Sequence, residues 1–131
     1  MMKILCITPV KHLDDVYENM CKFGEVVYKP EISREELIDY LKNEDVDWIF
    51  TNPNKQNFLL DESILKFSNL KGINTASTGL NHIDVLYCTY NNIKVVSHKD
   101  DMELLENLPS TSELAFGLML SLLRNISSGF D

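Results

Sequence analysis

The residues best placed for chemistry lie in NTASTGLNHID, residues 74 to 84. Apolar Leu70 and Ile73 lead into the stretch, small polar residues surround Gly79, and Asp84 stands where a helix can start. Small side chains let a ligand come close to the backbone, and a glycine can take conformations closed to other residues. Successive N–H groups in such a loop can cradle an anion. A plain strand-to-helix connection turning at a glycine has the same spacing, and turn glycines are common. His82 invites an acid or base role, since its pKa range is near neutral. A lone histidine in a surface loop is more often structural, and that is the role expected here.

Other reactive side chains are scattered. His98 ends the last apolar strand-like run, where it would touch a substrate or close a cleft, or simply end a strand. His12 is expected to face solvent. Asp84 reads as a helix cap, where alanine would cost about 1 kcal/mol. Glu113 reads as a first-turn acid favoured by the helix dipole. Asp100, Asp101, Glu103 and Glu106 look superficially like metal ligands, but solvated loop charges explain them better, and no metal is expected. Cys6, Cys21 and Cys88 are far apart and odd in number, with no CxxC or Cys/His spacing, so neither a disulfide framework nor a zinc site is expected. Cys6 lies in an apolar run and should be an inert core thiol.

The elements that must position these residues alternate. KILCITP (3–9) reads as a buried strand closed by Pro9. Residues 10–23 carry Leu13, Val16, Tyr17 and Met20 at helical spacing, with Gly24 as a stop. EVVYKP (25–30) is a second strand. Ser33 and Glu36 have capping-box spacing and open a helix over 33–44. VDWIFTNP (46–53) is a third strand, and Asp61 caps a short helix over 61–68. KGINTAS (71–77) is a fourth strand, Asp84 caps a weaker helix over 85–92, and KVVSH (94–98) is a fifth strand. A strong final helix covers 112–125. Strands alternating with helices through short loops predict an α/β fold, a flavodoxin-like, doubly wound, parallel five-stranded sheet. Ligands of such sheets bind beyond the carboxyl ends of the strands, and residues 76–81 follow strand four at that rim.

Composition narrows the function. A chain of 131 residues, 44% hydrophobic and 24% charged, is long enough to bury one core. Twenty acids against 12 bases give a net charge of −8, which opposes phosphate-backbone binding; no nucleic-acid partner is expected. Only Lys3 precedes the first apolar run and no signal-peptide layout is seen, so a reducing cytoplasm is the expected home. A phosphoacceptor receiver would need acids after strand one and an aspartate ending strand three, but those ends read ITPVKH and FTNPN. A flavodoxin would need a Ser/Thr/Gly phosphate loop after strand one, and TPVKHLDD is not one.

Residues 70–126 carry a family resemblance. LKGINTASTGLNHIDVLYCTYNNIKVVSH followed by STSELAFGLMLSLLRNI resembles the N-terminal part of the D-isomer-specific 2-hydroxyacid dehydrogenases. The shared marks are Thr78-Gly79, Asn81 to Asp84, Asn92 to Val95, Ser112-Glu113, and Leu118 to Arg124, in that order. The resemblance implies a two-domain enzyme that interconverts a D-2-hydroxy acid and a 2-oxo acid with NAD. Residues 1–111 would be the substrate-binding domain. Residues 112–131 would be an inter-domain helix leading into a Rossmann domain that this chain does not contain. Backbone N–H groups near Thr78 and Gly79 would hold the substrate carboxylate, with Ser77 beside them, and Thr78 would also approach the nicotinamide. Such donors suit a carboxylate, because charge-assisted hydrogen bonds are the stronger kind. His98 belongs to the same rim. The family's catalytic arginine, carboxylate and histidine lie in the nucleotide domain, so no residue here takes a catalytic role. No G-x-G-x-x-G occurs, so the fragment alone should not turn over NAD. Where the family often carries an arginine after strand three, this chain has Asn52, and a neutral amide disfavours a doubly anionic substrate. The remaining alternative is a stand-alone module that binds a small carboxylate without redox chemistry.

From Leu114 to Arg124 the apolar residues cover roughly 240° of a helix. The run is too short, and too interrupted by Gly117 and Ser121, to span a bilayer. One sheet face covers only part of such a helix, which predicts a homodimer through residues 112–126.

Overall fold

Three short sequence signals start three helices, and the strands between them are apolar enough to be buried on both sides. The computed structural model describes residues 2–12, 16–53, 57–75 and 79–97. Five strands, β1 (Met2–Cys6), β2 (Gly24–Tyr28), β3 (Trp48–Thr51), β4 (Gly72–Thr75) and β5 (Lys94–Val96), alternate with four helices. The helices are α1 (Val16–Cys21), α2 (Arg34–Asn43), α3 (Glu62–Leu65) and α4 (Val85–Tyr90). All strand pairs are parallel and the order is β2-β1-β3-β4-β5, the flavodoxin-like arrangement expected from the alternation.

The capping expectations hold residue by residue. Ser33 Oγ accepts from the Glu36 N–H at 3.2 Å while Glu36 Oε1 accepts from the Ser33 N–H at 3.1 Å, a complete capping box. The hydrogen bond from the Ser33 backbone holds the Glu36 carboxyl below its usual range. Asp61 accepts from the Ser63 N–H, and Asp84 from the Tyr87 N–H, each at 3.1 Å. α4 ends at Tyr90 rather than at residue 92, because Asn92 takes a left-handed φ of 59°.

Every residue of β3 and β4 is buried, as central parallel strands require. One face of the sheet gathers Ile4, Cys6, Trp48, Phe50 and Val96 with Met20 of α1. The other gathers Leu5, Ile49 and Ile73 with Leu37 and Leu41 of α2, Ile64 and Leu65 of α3, and Cys88 of α4. Helices therefore lie on both faces, as a doubly wound sheet demands.

Gly24 corrects one expectation. Its spacing suggests the stop of the first helix, but it opens β2 opposite Met2, and a Cβ there would lie 2.0 Å from the Met2 carbonyl oxygen. The first helix is also shorter than 10–23, with residues 13–15 outside the described set. The C-terminal helix over 112–125, and the division at residue 111, lie outside the described residues.

Candidate functional site

Three neighbouring strands end in polar residues that are fully buried. Thr51 closes β3, Thr75 closes β4 and Ser97 follows β5, each with no exposed surface. Thr51 stands in register with Thr75, so the carboxyl ends of β3 and β4 finish side by side. Cys6 ends β1 at the same rim; its thiol donates to the Thr8 carbonyl at 3.2 Å, and burial pushes its pKa up to about 12. It is the inert core thiol expected.

Asn52 and Gly79 flank this rim. Asn52 follows Thr51 and is half-buried. Gly79 is exposed beyond the end of β4. The proposed roles of Ser77, Thr78 and His98 fall outside the described residues. Gly79 departs from expectation in a telling way. Its φ is not positive, and a Cβ built on it would meet nothing within 4 Å. Among the described residues, neither backbone strain nor packing requires glycine here. Among the described residues the space a side chain would fill is open, which is what a ligand approaching the backbone needs.

His82 is buried, not on the surface of its loop, with 8% of its area exposed. Its Nε2 lies 2.8 Å from Thr75 Oγ1 in a buried hydrogen bond. The Leu60 N–H donates to the His82 carbonyl, and the Asp84 N–H donates to the Leu60 carbonyl, both at 2.9 Å. Leu60 and Ile83 thereby form a short parallel bridge. Desolvation lowers the His82 pKa and favours the neutral ring. This supports the structural role over acid–base catalysis. Asp84 acts as a cap, and burial, with the Asp84 charge second, lifts the Cys88 pKa to about 11. His12 is exposed, as expected.

Sequence reasoning missed the Thr75–His82 pair. The available signal was a polar residue ending each of the runs WIFT, GINT and KVVS. It also missed Asn74, which is fully buried on β4 with neither its amide nitrogen nor its oxygen hydrogen-bonded among the described residues.

A separate cleft of about 430 Å³ opens beyond β2, lined by residues that include Lys29, Ile32, Glu36 and Tyr40. Glu36 there is engaged in the capping box, and Lys29 lies over the Tyr40 ring at 5.5 Å. Fold stability accounts for both contacts. Among the described residues no group of three or more His, Cys, Asp or Glu side chains is placed to hold a metal ion, and no helix is long and apolar enough to cross a membrane.

Comparison with known proteins adds the family. Among solved structures, a glyoxylate reductase from Paecilomyes thermophila is similar at 20% identity with a TM-score of 0.65, over 82% of this chain and 38% of that one. A 3-phosphoglycerate dehydrogenase from Entamoeba histolytica with bound NAD+ is 25% identical with a TM-score of 0.60, over 80% of this chain and 36% of that one. An acyclic imino acid reductase in complex with NADPH and D-Arg is 20% identical with a TM-score of 0.61, over 98% of this chain and 40% of that one. The chain thus spans well under half the length of these structures. A search of curated proteins found no match. Residues 4–103 match the family described as D-isomer specific 2-hydroxyacid dehydrogenase, catalytic domain. That match runs from within β1 through β5 and takes in the whole rim built above, so the chain belongs to the D-isomer specific 2-hydroxyacid dehydrogenase family.

Proposed function

We propose that this chain is the substrate-holding part of a nicotinamide-dependent D-2-hydroxyacid dehydrogenase, and that the rim after β4 grips the carboxylate of a 2-hydroxy or 2-oxo acid. The observation that carries the reading is Gly79: exposed at the carboxyl end of a central parallel strand, with open space where a Cβ would stand. In this reading Ser77 and Thr78 would share the loop, and Asn52 and His98 would border it. A neutral amide at Asn52 fits a substrate with one carboxylate better than one with two.

A bound nicotinamide would supply the acceptor for the hydride on C2 of the hydroxy acid, and a base would take the hydroxyl proton. The described residues do not form a site for the dinucleotide phosphates. Gly24 is taken up by the close approach of β1 and Gly72 by the Trp48 ring, and no G-x-G-x-x-G is present. Thr78 would meet only the nicotinamide end, so the dinucleotide and the base belong to a separate domain, and residues 112–131 would lead toward it. NAD is the cofactor of this reading, supported by the NAD+ complex of the Entamoeba histolytica enzyme. The NADPH complex of the imino acid reductase leaves the choice of dinucleotide to that other domain. The same reading includes a homodimer through residues 112–126 and a cytoplasmic setting, where Cys6, Cys21 and Cys88 stay as free thiols.

Titration of the 131-residue chain with glyoxylate and pyruvate, followed by amide NMR, tests the reading. Shifts centred on residues 76–81 are expected, with no NADH formed by the chain alone. Shifts confined to the cleft near Tyr40 would instead favour a carboxylate-binding module with its site at β2.

A further inference from the structure

Seven residues separate Thr75 from His82, and their side chains meet across the base of the loop that carries Gly79. Each end of that loop is anchored independently. Thr75 is the last residue of β4, paired in register with Thr51 of β3. The His82 carbonyl accepts from Leu60, and the chain after it is tied to the same residue through Asp84. Leu60 has no exposed surface and immediately precedes Asp61, the cap of α3. The side-chain bond therefore links the end of β4 to the residue whose carbonyl pairs with Leu60 at the α3 entry. It lies in a dry setting, where a satisfied hydrogen bond rigidifies and a half-satisfied one is expensive.

We infer that His82 is a positioning residue: its bond to Thr75 ties the chain after Gly79 to the end of β4 and holds the Gly79 backbone where the carboxylate docks. The inference rests on the carboxylate reading for its ligand, but the clasp itself is measurable without one. Neither group touches substrate. Their effect passes through the loop backbone, whose placement must be held to a fraction of an ångström for binding to be specific.

The test uses the 131-residue chain and three variants. Thr75→Val keeps the side-chain shape and removes the hydroxyl, Thr75→Ser keeps the hydroxyl, and His82→Gln removes the ring. In Thr75→Val, amide hydrogen exchange at Leu60 and Ile83, whose N–H groups donate to the His82 and Leu80 carbonyls, should rise about tenfold while Ile49 and Ile73, in the middle of β3 and β4, keep their protection. Pyruvate affinity should fall by a similar factor, and Thr75→Ser should restore both. If Thr75→Val does not fold, His82→Gln carries the same readouts. Unchanged exchange at Leu60 and Ile83, or a rise shared equally by Ile49 and Ile73, would overturn the clasp. Failure of the unaltered chain to bind any 2-oxo acid would overturn the carboxylate reading alone, leaving the exchange measurement to decide the clasp.

Discussion

β4 presents two faces that are finished differently. Toward α2, α3 and α4 it turns Ile73, fully buried in the larger cluster, and Thr75, whose hydroxyl meets His82. Toward the face of Phe50 and Val96 it turns Gly72, over which the Trp48 ring lies, and Asn74, whose amide has no hydrogen-bond partner among the described residues. The two polar residues are neighbours in sequence and equally buried. Burial alone therefore does not say whether a polar group supports the fold. The partner decides, because an unanswered buried amide loses its hydration without replacement.

The largest expected effects lie in the apolar half of the comparison. Ile73→Ala should cost about 2–5 kcal/mol, the range for truncating a fully buried branched side chain. Gly72→Val should cost about 1–3 kcal/mol from the other face, since a Cβ there would lie 1.8 Å from the Trp48 ring. Urea unfolding measures both. A harmless Gly72→Val would show that the Trp48 ring yields easily and that the two faces are equally tolerant.

Asn74→Leu should act in the opposite sense. Replacing an unanswered amide with an apolar side chain of similar shape should stabilise by about 1–3 kcal/mol, seen as a higher urea midpoint. A lower midpoint would mean that the amide has a partner in solution, and the contrast between the faces would fail.

Mild acid should act first through the His82 face, before the Glu36 carboxyl is protonated. His82 has its folded pKa lowered from 6.5 by desolvation, so the unfolded chain binds its proton more readily. Its contribution is fully present above pH 6.5 and is lost as the pH falls through the lower folded value. Unfolding free energy measured over that window should decline, and His82→Gln should flatten the decline. An unaltered slope in the variant would assign the acid sensitivity to other groups.

Gly79→Ala should have the smallest effect on stability, within about 0.5 kcal/mol, since the added methyl meets open space and the backbone is not left-handed. Pyruvate binding should nonetheless be lost. Retained binding with unchanged stability would remove the glycine from the proposed site and leave the comparison of the two faces untouched.

What the sequence determined by itself was local or repetitive. Ser33 with Glu36, Asp61 and Asp84 announce helix starts because each cap acts on an N–H two or three residues away, within reach of any reader of the chain. Alternating apolar runs and helical spacings imply a parallel sheet, because only helices on both faces bury such strands. The order of motifs from Thr78 to Arg124 pointed to the family. Tertiary structure alone decided the rest. Gly24 looked like a helix stop until β2 was laid against Met2, and Gly72 explained itself only under Trp48. Gly79 fits either a plain turn or a ligand loop by spacing, and only its backbone conformation and surroundings separate the two. His82 looked like a loop side chain until the turn after β4 folded it down onto Thr75. Each of these depends on atoms distant in sequence that strand register or loop closure brings within a few ångströms. A one-dimensional pattern carries residue types and spacing, and the contacts that give those types their roles form only when the sheet does.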